Sequence, residues 1–232
     1  KLPSELTLVG VFGLRDEIRK ESQSAVKTAQ KAGIQVVMIT GDAKETAEAI
    51  AKEVGIIENE KGIIHTSTEL GALTDVEIKK ILPELRVVSR ALPTDKSRLV
   101  KLAKSLNWVV GMTGDGVNDA PAVKNADVGF SMGDGTDLTK ESSDIVILDN
   151  NFNSLTNSVR YGRTLFKSIR KFLVFQLTVN VAAVLVSFLG PFFGTDLPLT
   201  MTQLLWVNIV MDTLAAFAFS GEAALHRYMH EK

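Results

Sequence analysis

The chain has 232 residues, enough for a sizeable core, and its 26 Lys and Arg nearly balance 27 Asp and Glu, so nothing in the charge points to a nucleic-acid partner. It has no cysteine, which excludes disulfides and thiolate metal sites. Lys1 in place of an initiating methionine reads as an excised or processed piece. The charges are unevenly spread: residues 1–171 hold 24 basic and 23 acidic groups, and residues 172–232 only 2 and 4. A balanced region is therefore followed by an apolar one, with the boundary near Lys171.

In chain order, β-rich runs predict strands over Leu6–Val11, Gln35–Ile39, Arg86–Ser89, Trp108–Met112, Val128–Ser131 and Ile145–Leu148. Helical patterns between them cover Ser22–Lys31, Lys44–Val54, Thr94–Leu106, Asn118–Asn125 and Phe152–Arg170. Apolar strands alternating with helices predict an α/β fold with a mostly parallel sheet covered on both faces, whose ligands sit at the carboxyl ends of the strands.

Two of those strand ends carry the same tripeptide. The strand ending at Ile39 runs into Thr40-Gly41-Asp42, and the one ending at Met112 runs into Thr113-Gly114-Asp115. A threonine hydroxyl and glycine-opened backbone amides suit phosphate oxygens, and an aspartate there suits magnesium. Gly-Asp is also ordinary turn chemistry, so it is the repetition that informs. The second loop continues as Gly116-Val117-Asn118-Asp119-Ala120-Pro121. Two carboxylates and an amide within five residues fit a magnesium–phosphate site; a glycine-rich helix cap is the alternative. Upstream, Pro93-Thr94-Asp95-Lys96 opens a helix, with Thr94 or Asp95 as a possible cap. Lys96 opposes the helix dipole there, which favours a phosphate partner for it.

The apolar part contains two long runs. Phe172–Phe193 is 22 residues without a charge, and at ~1.5 Å per residue reaches roughly 33 Å, enough for a bilayer core. Leu197–Ser220 is 24 residues with Asp212 as its one charge, and Gly194-Thr195-Asp196 forms a polar turn between the runs. Arg160, Arg163, Lys167, Arg170 and Lys171 precede the first run, Arg227 and Lys232 follow the second, and the turn has no basic residue. Both outer ends are thus expected in the cytoplasm. Asn208 and Asp212 share one helix face, and Asn180 lies at similar depth on the other helix, on the order of 12 Å from the cytoplasmic side. Their oxygens suit a hard cation such as calcium; interhelical hydrogen bonding is the competing explanation.

Thr40 to Asp42, Pro93 to Lys96 and Gly114 to Pro121 together closely resemble the hinge and phosphorylation-site motifs of P-type ATPases, members of the haloacid dehalogenase-like superfamily. The resemblance implies a Rossmann-like haloacid dehalogenase-type parallel sheet, incomplete here, followed by a two-helix transmembrane hairpin. It divides the chain into the C-terminal part of a cytoplasmic phosphorylation domain (1–150), a helical stalk (151–171), spans at 172–193 and 197–220, and a cytoplasmic tail (221–232). It implies that Asp115 binds catalytic magnesium, that Thr40 and Gly41 hold the phosphoryl group, and that Asp42 organises that loop. Lys96 and Asn118 would contact phosphate, Asp119 would support the site, and Arg90 would contact ATP. Asp16 and Arg19 look like an Asp-Pro-X-Arg hinge near the nucleotide, though the proline is absent.

The hairpin looks like the fifth and sixth spans of a calcium pump, with Asn180, Asn208 and Asp212 as calcium ligands. Ala183 and Met211 depart from the glutamate and threonine of two-site reticulum pumps, which fits a plasma-membrane-like pump with one calcium site. The family's nucleophile, the aspartate of Asp-Lys-Thr-Gly-Thr, does not occur in this sequence. The expected role is therefore that of a supporting part, inactive alone, whose partners are the lipid bilayer and the rest of a pump: actuator domain, nucleotide domain and remaining spans. The alternative is a non-catalytic membrane-anchored module that binds nucleotide and magnesium.

Overall fold

The computed structural model describes residues 7, 9–10, 17–58, 62–194 and 199–231. The strand expected over Leu6–Val11 lies largely outside them, as do Asp16 and most of the expected turn at 194–196. The order is α1 (Lys20–Lys31), β1 (Met38–Ile39), α2 (Lys44–Glu53), β2 (Ile63–Thr66), α3 (Ser67–Gly71), α4 (Asp75–Ile81), β3 (Leu85–Ser89) and α5 (Pro93–Ser105). Then follow β4 (Gly111–Gly114), a 3-10 turn (Val117–Asp119), α6 (Ala120–Asn125), β5 (Val128–Met132), α7 (Asp137–Glu141) and β6 (Ile145–Ile147). The apolar part is α8 (Phe152–Leu189), a 3-10 turn (Gly190–Phe193), α9 (Met201–Ser220) and a last 3-10 turn (His226–Met229).

All strand pairings among the described residues are parallel, but they form two sheets, in orders β1-β3-β2 and β4-β5-β6. β1 and β4 each pair on one side only, so each is an edge, and these are the two strands that end in Thr-Gly-Asp. β3 is the core strand of the first sheet. Successive side chains of a strand point to opposite faces. Val88 accordingly packs with Leu70, Ile78, Leu99 and Leu102, and Val87 with Val26, Ala47, Ala51 and Ile56. α3, α4 and α5 thus cover one face, and α1 and α2 the other.

β2, α3, α4 and α7 were not expected. α3 and α4 nevertheless start at reciprocal caps: Thr66 with Glu69, and Thr74 with Glu77. The caps hold Glu69 well below its ordinary value, at about 2, chiefly through the Thr66 N–H.

α8 is one uninterrupted helix of 38 residues, roughly 57 Å long. The change of composition near Lys171 is therefore no break in the backbone. At its lower end α8 holds the segment after α9. Arg163 donates to the carbonyls of Tyr228, Glu231 and Ala32, tying that segment to α8 and to the end of α1. Lys167 pairs with Glu231 and lies over the Tyr228 ring, Lys171 pairs with Glu222, and Tyr228 and Met229 are buried.

Candidate functional site

The loops at the carboxyl ends of β1, β3 and β4 form one hydrogen-bonded network. In the first loop, the Thr40 hydroxyl donates to Asp42 Oδ2 (2.8 Å) and accepts the Asp42 N–H (3.2 Å). The next loop locks onto it: Arg90 N–H donates to the Asp42 carbonyl and Ala91 N–H to the Thr40 carbonyl, each at 2.9 Å. That close approach turns the chain sharply, and Arg90 takes φ 50°, uncommon for a residue with a side chain. Gly41 and Asp42 are exposed.

α5 begins from this junction. Neither Thr94 nor Asp95 is its N-cap, which is Leu92; Asp95, in the first turn, reaches back, and its buried carboxylate accepts the Leu92 N–H (2.8 Å) and the Ser67 hydroxyl (2.6 Å). One residue on, Lys96 reaches the second loop and pairs with Asp119 Oδ1 at 2.5 Å, the side chains being 19% and 8% exposed. The other carboxylate oxygen of Asp119 accepts the Asp115 N–H at 3.4 Å. Space forces the second loop's glycine: a Cβ on Gly114 would stand 2.4 Å from Asp119 Cβ and 3.0 Å from Val123 Cγ2. From the start of α7, Thr136 N–H donates to the Asp115 carbonyl and Thr139 Oγ1 to the Gly116 carbonyl.

Asp115 and Asn118 are exposed at the mouth of this network. With Asp42 bonded to Thr40, and Asp119 to Lys96, Asp115 is the carboxylate left to face a ligand. Among the described residues there is no group of three or more His, Cys, Asp or Glu able to hold a metal ion. One exposed carboxylate, Asp115, beside the exposed Asn118 amide is a donor set that a magnesium ion keeping its waters and sharing phosphoryl oxygens can use.

Arg19 stands outside the network. Its guanidinium donates to the carbonyls of Asp149 (3.2 Å) and Asn150 (3.0 Å), at the turn before α8. Sequence reasoning also passed over Asp134, whose carboxylate and N–H clasp the Asn150 side chain at the same turn.

In the hairpin, Phe175 packs edge-on against Phe219 at 6.2 Å. Together with Lys171–Glu222 this sets an antiparallel register that brings Asp212 level with the turn of α8 following Asn180. The half-buried stripe of α8 runs through Phe172, Phe175, Gln176, Val179, Ala183 and Ser187, and that of α9 through Leu204, Asn208, Met211, Asp212, Ala215 and Phe219. Asn208 and Asp212 thus share one half-buried face. Asn180 is exposed, one residue off the α8 stripe, while Gln176, one turn earlier, is on it. Where the charge-free run of α8 begins, the Lys171 ammonium holds Glu222 below its ordinary value, and the same bond raises Lys171.

The family model described as haloacid dehalogenase-like hydrolase matches residues 2–127, and that of the cation transporting ATPase C-terminus matches residues 196–232. The plasma membrane-type calcium-transporting ATPase 7 of Oryza sativa subsp. japonica is 49% identical over 222 residues, covering 94% of this chain and 21% of that protein. The plasma membrane calcium-transporting ATPase 1 of Mus musculus is 46% identical over 232 residues, covering 94% of this chain and 19% of that protein. The chain thus spans about a fifth of the length of these relatives. Among solved structures, a zinc-transporting PIB-type ATPase in its E2.Pi state superposes with a TM-score of 0.63 at 24% identity, over 93% of this chain and 28% of that one; this likeness is one of fold alone. Parallel strands ending in paired Thr-Gly-Asp loops, two apolar helices of spanning length and these matches agree: the chain belongs to the haloacid dehalogenase-like hydrolases and, within them, to the P-type ATPases.

Proposed function

We propose that this chain is the supporting part of an ATP-driven calcium pump that works through an aspartyl-phosphate intermediate. The observation that carries the reading is the network joining Thr40, Asp42, Arg90, Lys96, Asp115 and Asp119 at the carboxyl ends of parallel strands, on a chain whose apolar hairpin places Asn208 and Asp212 on one half-buried face. In this reading the Thr40 hydroxyl turns from Asp42 to the phosphoryl oxygens, which the Gly41 backbone and Asn118 also hold, and Lys96, kept in place by Asp119, adds positive charge beside them. Asp115 would hold magnesium, which when bound neutralises phosphoryl charge. Arg90 contacts ATP from the neighbouring loop, and Arg19 acts as a hinge between the domain and the start of α8.

The nucleophilic aspartate comes from a segment outside this sequence. The edges of β1 and β4 left unpaired among the described residues, each ending in Thr-Gly-Asp, are where a strand carrying it fits, joining the two sheets into one and presenting its carboxylate between both loops. Alone, the chain neither forms a phosphoenzyme nor pumps. The domain boundaries follow: 1–150 in the cytoplasm, a stalk at 151–171, spans at 172–193 and 197–220, and a tail returning to the cytoplasm, with the actuator domain, nucleotide domain and remaining spans as partners. The names of the plant and mouse relatives favour calcium as the cargo, held by Asn208 and Asp212 on their shared half-buried face, with Asn180, exposed beside the α8 stripe, reaching the ion from the side that the remaining spans cover. The test is ATP hydrolysis by the full-length pump in membrane vesicles. Calcium should stimulate the wild type, and Asp212→Ala should abolish that stimulation; unchanged calcium dependence in the variant refutes the assignment.

A further inference from the structure

Several threonines inside the helices of this chain satisfy their hydroxyls locally. Thr28, Thr164, Thr178 and Thr213 each donate to the carbonyl four residues earlier in their own helix. Thr139 in α7 does not. It is fully buried, and its hydroxyl donates at 2.8 Å to the Gly116 carbonyl, 23 residues away in the loop that carries Asp115. A threonine hydroxyl has one proton to give. Because that of Thr139 goes to a carbonyl, which can only accept, the 2.8 Å contact between Thr136 Oγ1 and Thr139 Oγ1 has Thr136 as its donor. A directed chain therefore runs from Thr136 through Thr139 and ends on the backbone beside Asp115.

That backbone depends on hydrogen bonds for its shape. A Cβ at Gly116 would meet nothing within 4 Å, so side-chain packing does not fix this peptide. The Gly116 carbonyl takes the Thr139 hydroxyl and the Asp119 N–H (2.9 Å), which uses both of its lone pairs. The Asp115 carbonyl takes the Thr136 N–H (2.9 Å), and the Asp115 N–H reaches Asp119 Oδ2 (3.4 Å). Half of these bonds come from α7, and Gly135 allows the approach: a Cβ there would stand 3.2 Å from the Asp115 carbonyl oxygen. The Asp115 carboxylate itself is exposed, so the backbone beneath is what aims it. Partners that orient a metal ligand from behind tune the metal's affinity even though they never touch it. We propose that Thr139 is a positioning residue for magnesium, its hydroxyl fixing the Asp115–Gly116 backbone so that the Asp115 carboxylate is held ready for the ion. The inference rests on the reading that Asp115 holds magnesium, and adds a residue from an element that carries none of the phosphate-site motifs.

Two measurements on the full-length pump test this. The first is hydrogen exchange in detergent, with magnesium, calcium and nucleotide left out. Thr139→Val keeps the side-chain shape and removes the hydroxyl, and exchange over residues 113–118 should quicken about three- to tenfold, the worth of one hydrogen bond. The second is phosphorylation from inorganic phosphate, the reverse of phosphoenzyme hydrolysis, in which magnesium and phosphate are varied separately. Thr139→Val should raise the half-saturating magnesium concentration about tenfold, and leave that of phosphate, at saturating magnesium, within about twofold. Thr139→Ser keeps the hydroxyl and should stay within about twofold of wild type in both measurements. A packing role would give the opposite order, since serine loses the methyl that valine keeps. A magnesium shift under about twofold in Thr139→Val overturns the inference even if exchange quickens, and so does an equal shift in the valine and serine variants. Should Thr139→Val not fold, Thr139→Ala removes the hydroxyl without added bulk and decides by the same thresholds. Asp115→Asn separates the two readings. If it abolishes the magnesium dependence and Thr139→Val is silent, only Thr139 is refuted; if it leaves the magnesium requirement unchanged, the magnesium site itself is, and the inference with it.

Discussion

Replacing Lys96 with methionine keeps most of the side-chain volume and removes the charge that faces Asp119. The two groups are 2.5 Å apart, and the Asp119 side chain is only 8% exposed. Removing one partner of a buried ion pair leaves the other charge uncompensated, at a cost of about 3–5 kcal/mol. Lys96 is 19% exposed, and Asp119 still accepts the Asp115 N–H, so about 2–4 kcal/mol is expected here. Because Asp119 braces Gly114 and Asp115, the loss should appear as local opening of the second loop. At 1.4 kcal/mol per tenfold, the backbone amides of residues 112–120 should exchange hydrogen about 30- to 700-fold faster, up to the limit set by global unfolding. Hydrogen exchange with mass spectrometry on the chain in detergent measures this peptide by peptide. The double variant Lys96→Met with Asp119→Asn removes the stranded charge and should recover at least about tenfold of that protection. If Lys96→Met changes exchange by less than about threefold, or the double variant recovers nothing, the pair does not hold the loop.

Gly114→Ala forces a Cβ to within 2.4 Å of Asp119 Cβ and should cost about 1–3 kcal/mol, whereas a Cβ at Gly116 meets nothing within 4 Å and Gly116→Ala should leave the melting temperature nearly unchanged. Thr66→Ala and Thr74→Ala each delete a reciprocal cap and should cost about 1 kcal/mol in denaturant melts, with no effect on nucleotide or calcium affinity. The segment after α9 should be held in a pH-dependent way. Glu222 and Glu231 are lowered by their lysine partners, so their contribution is fully present above the ordinary carboxylate pKa and is lost as pH falls through the lowered values. Protease sensitivity around His226–Met229 should accordingly be flat from pH 7 to about 5 and rise below about 4, and Lys171→Ala should raise it already at pH 7.

The meeting of the candidate site's loops was legible because they are short local motifs at strand ends. Thr40-Gly41-Asp42 and the run from Gly114 to Pro121 stand at strand ends, and a parallel sheet gathers strand ends on one side. Tertiary contacts were not legible. Lys96 was expected to meet phosphate, and the fold shows its ammonium already held by Asp119. Arg19 sat in a motif suggestive of nucleotide, and its guanidinium is taken by two carbonyls at the start of α8.

The strand at Trp108–Met112 appears instead at Gly111–Gly114. Backbone pairing with Val128–Ser131 decides that position, and glycine and threonine have no apolar pattern to announce it. β1 keeps only Met38 and Ile39 of five expected residues, as suits a strand with a neighbour on one side alone. β2 is a four-residue strand beyond Gly62, too short to show alternation, whereas the Thr-x-x-Glu signals of α3 and α4 were readable and unused. In the membrane part, composition located two spans but not their facing sides. Equal depth in an antiparallel hairpin grouped Asn180 with Asn208 and Asp212, and it took the packing of α8 against α9 to show Gln176, and not Asn180, on the half-buried stripe.

The central claim is that this chain supports phosphorylation of an aspartate carried elsewhere. The most direct measurement is labelling with γ-phosphate-labelled ATP and magnesium, followed by an acid wash, of the 232-residue chain alone, of the pump's upstream segment alone, and of the two expressed together. The account predicts acid-stable label only in the mixture, on the aspartate of the upstream segment, and its loss when Asp115→Asn is carried in this chain. Label on the 232-residue chain itself, or equal label on the upstream segment without it, would contradict the account.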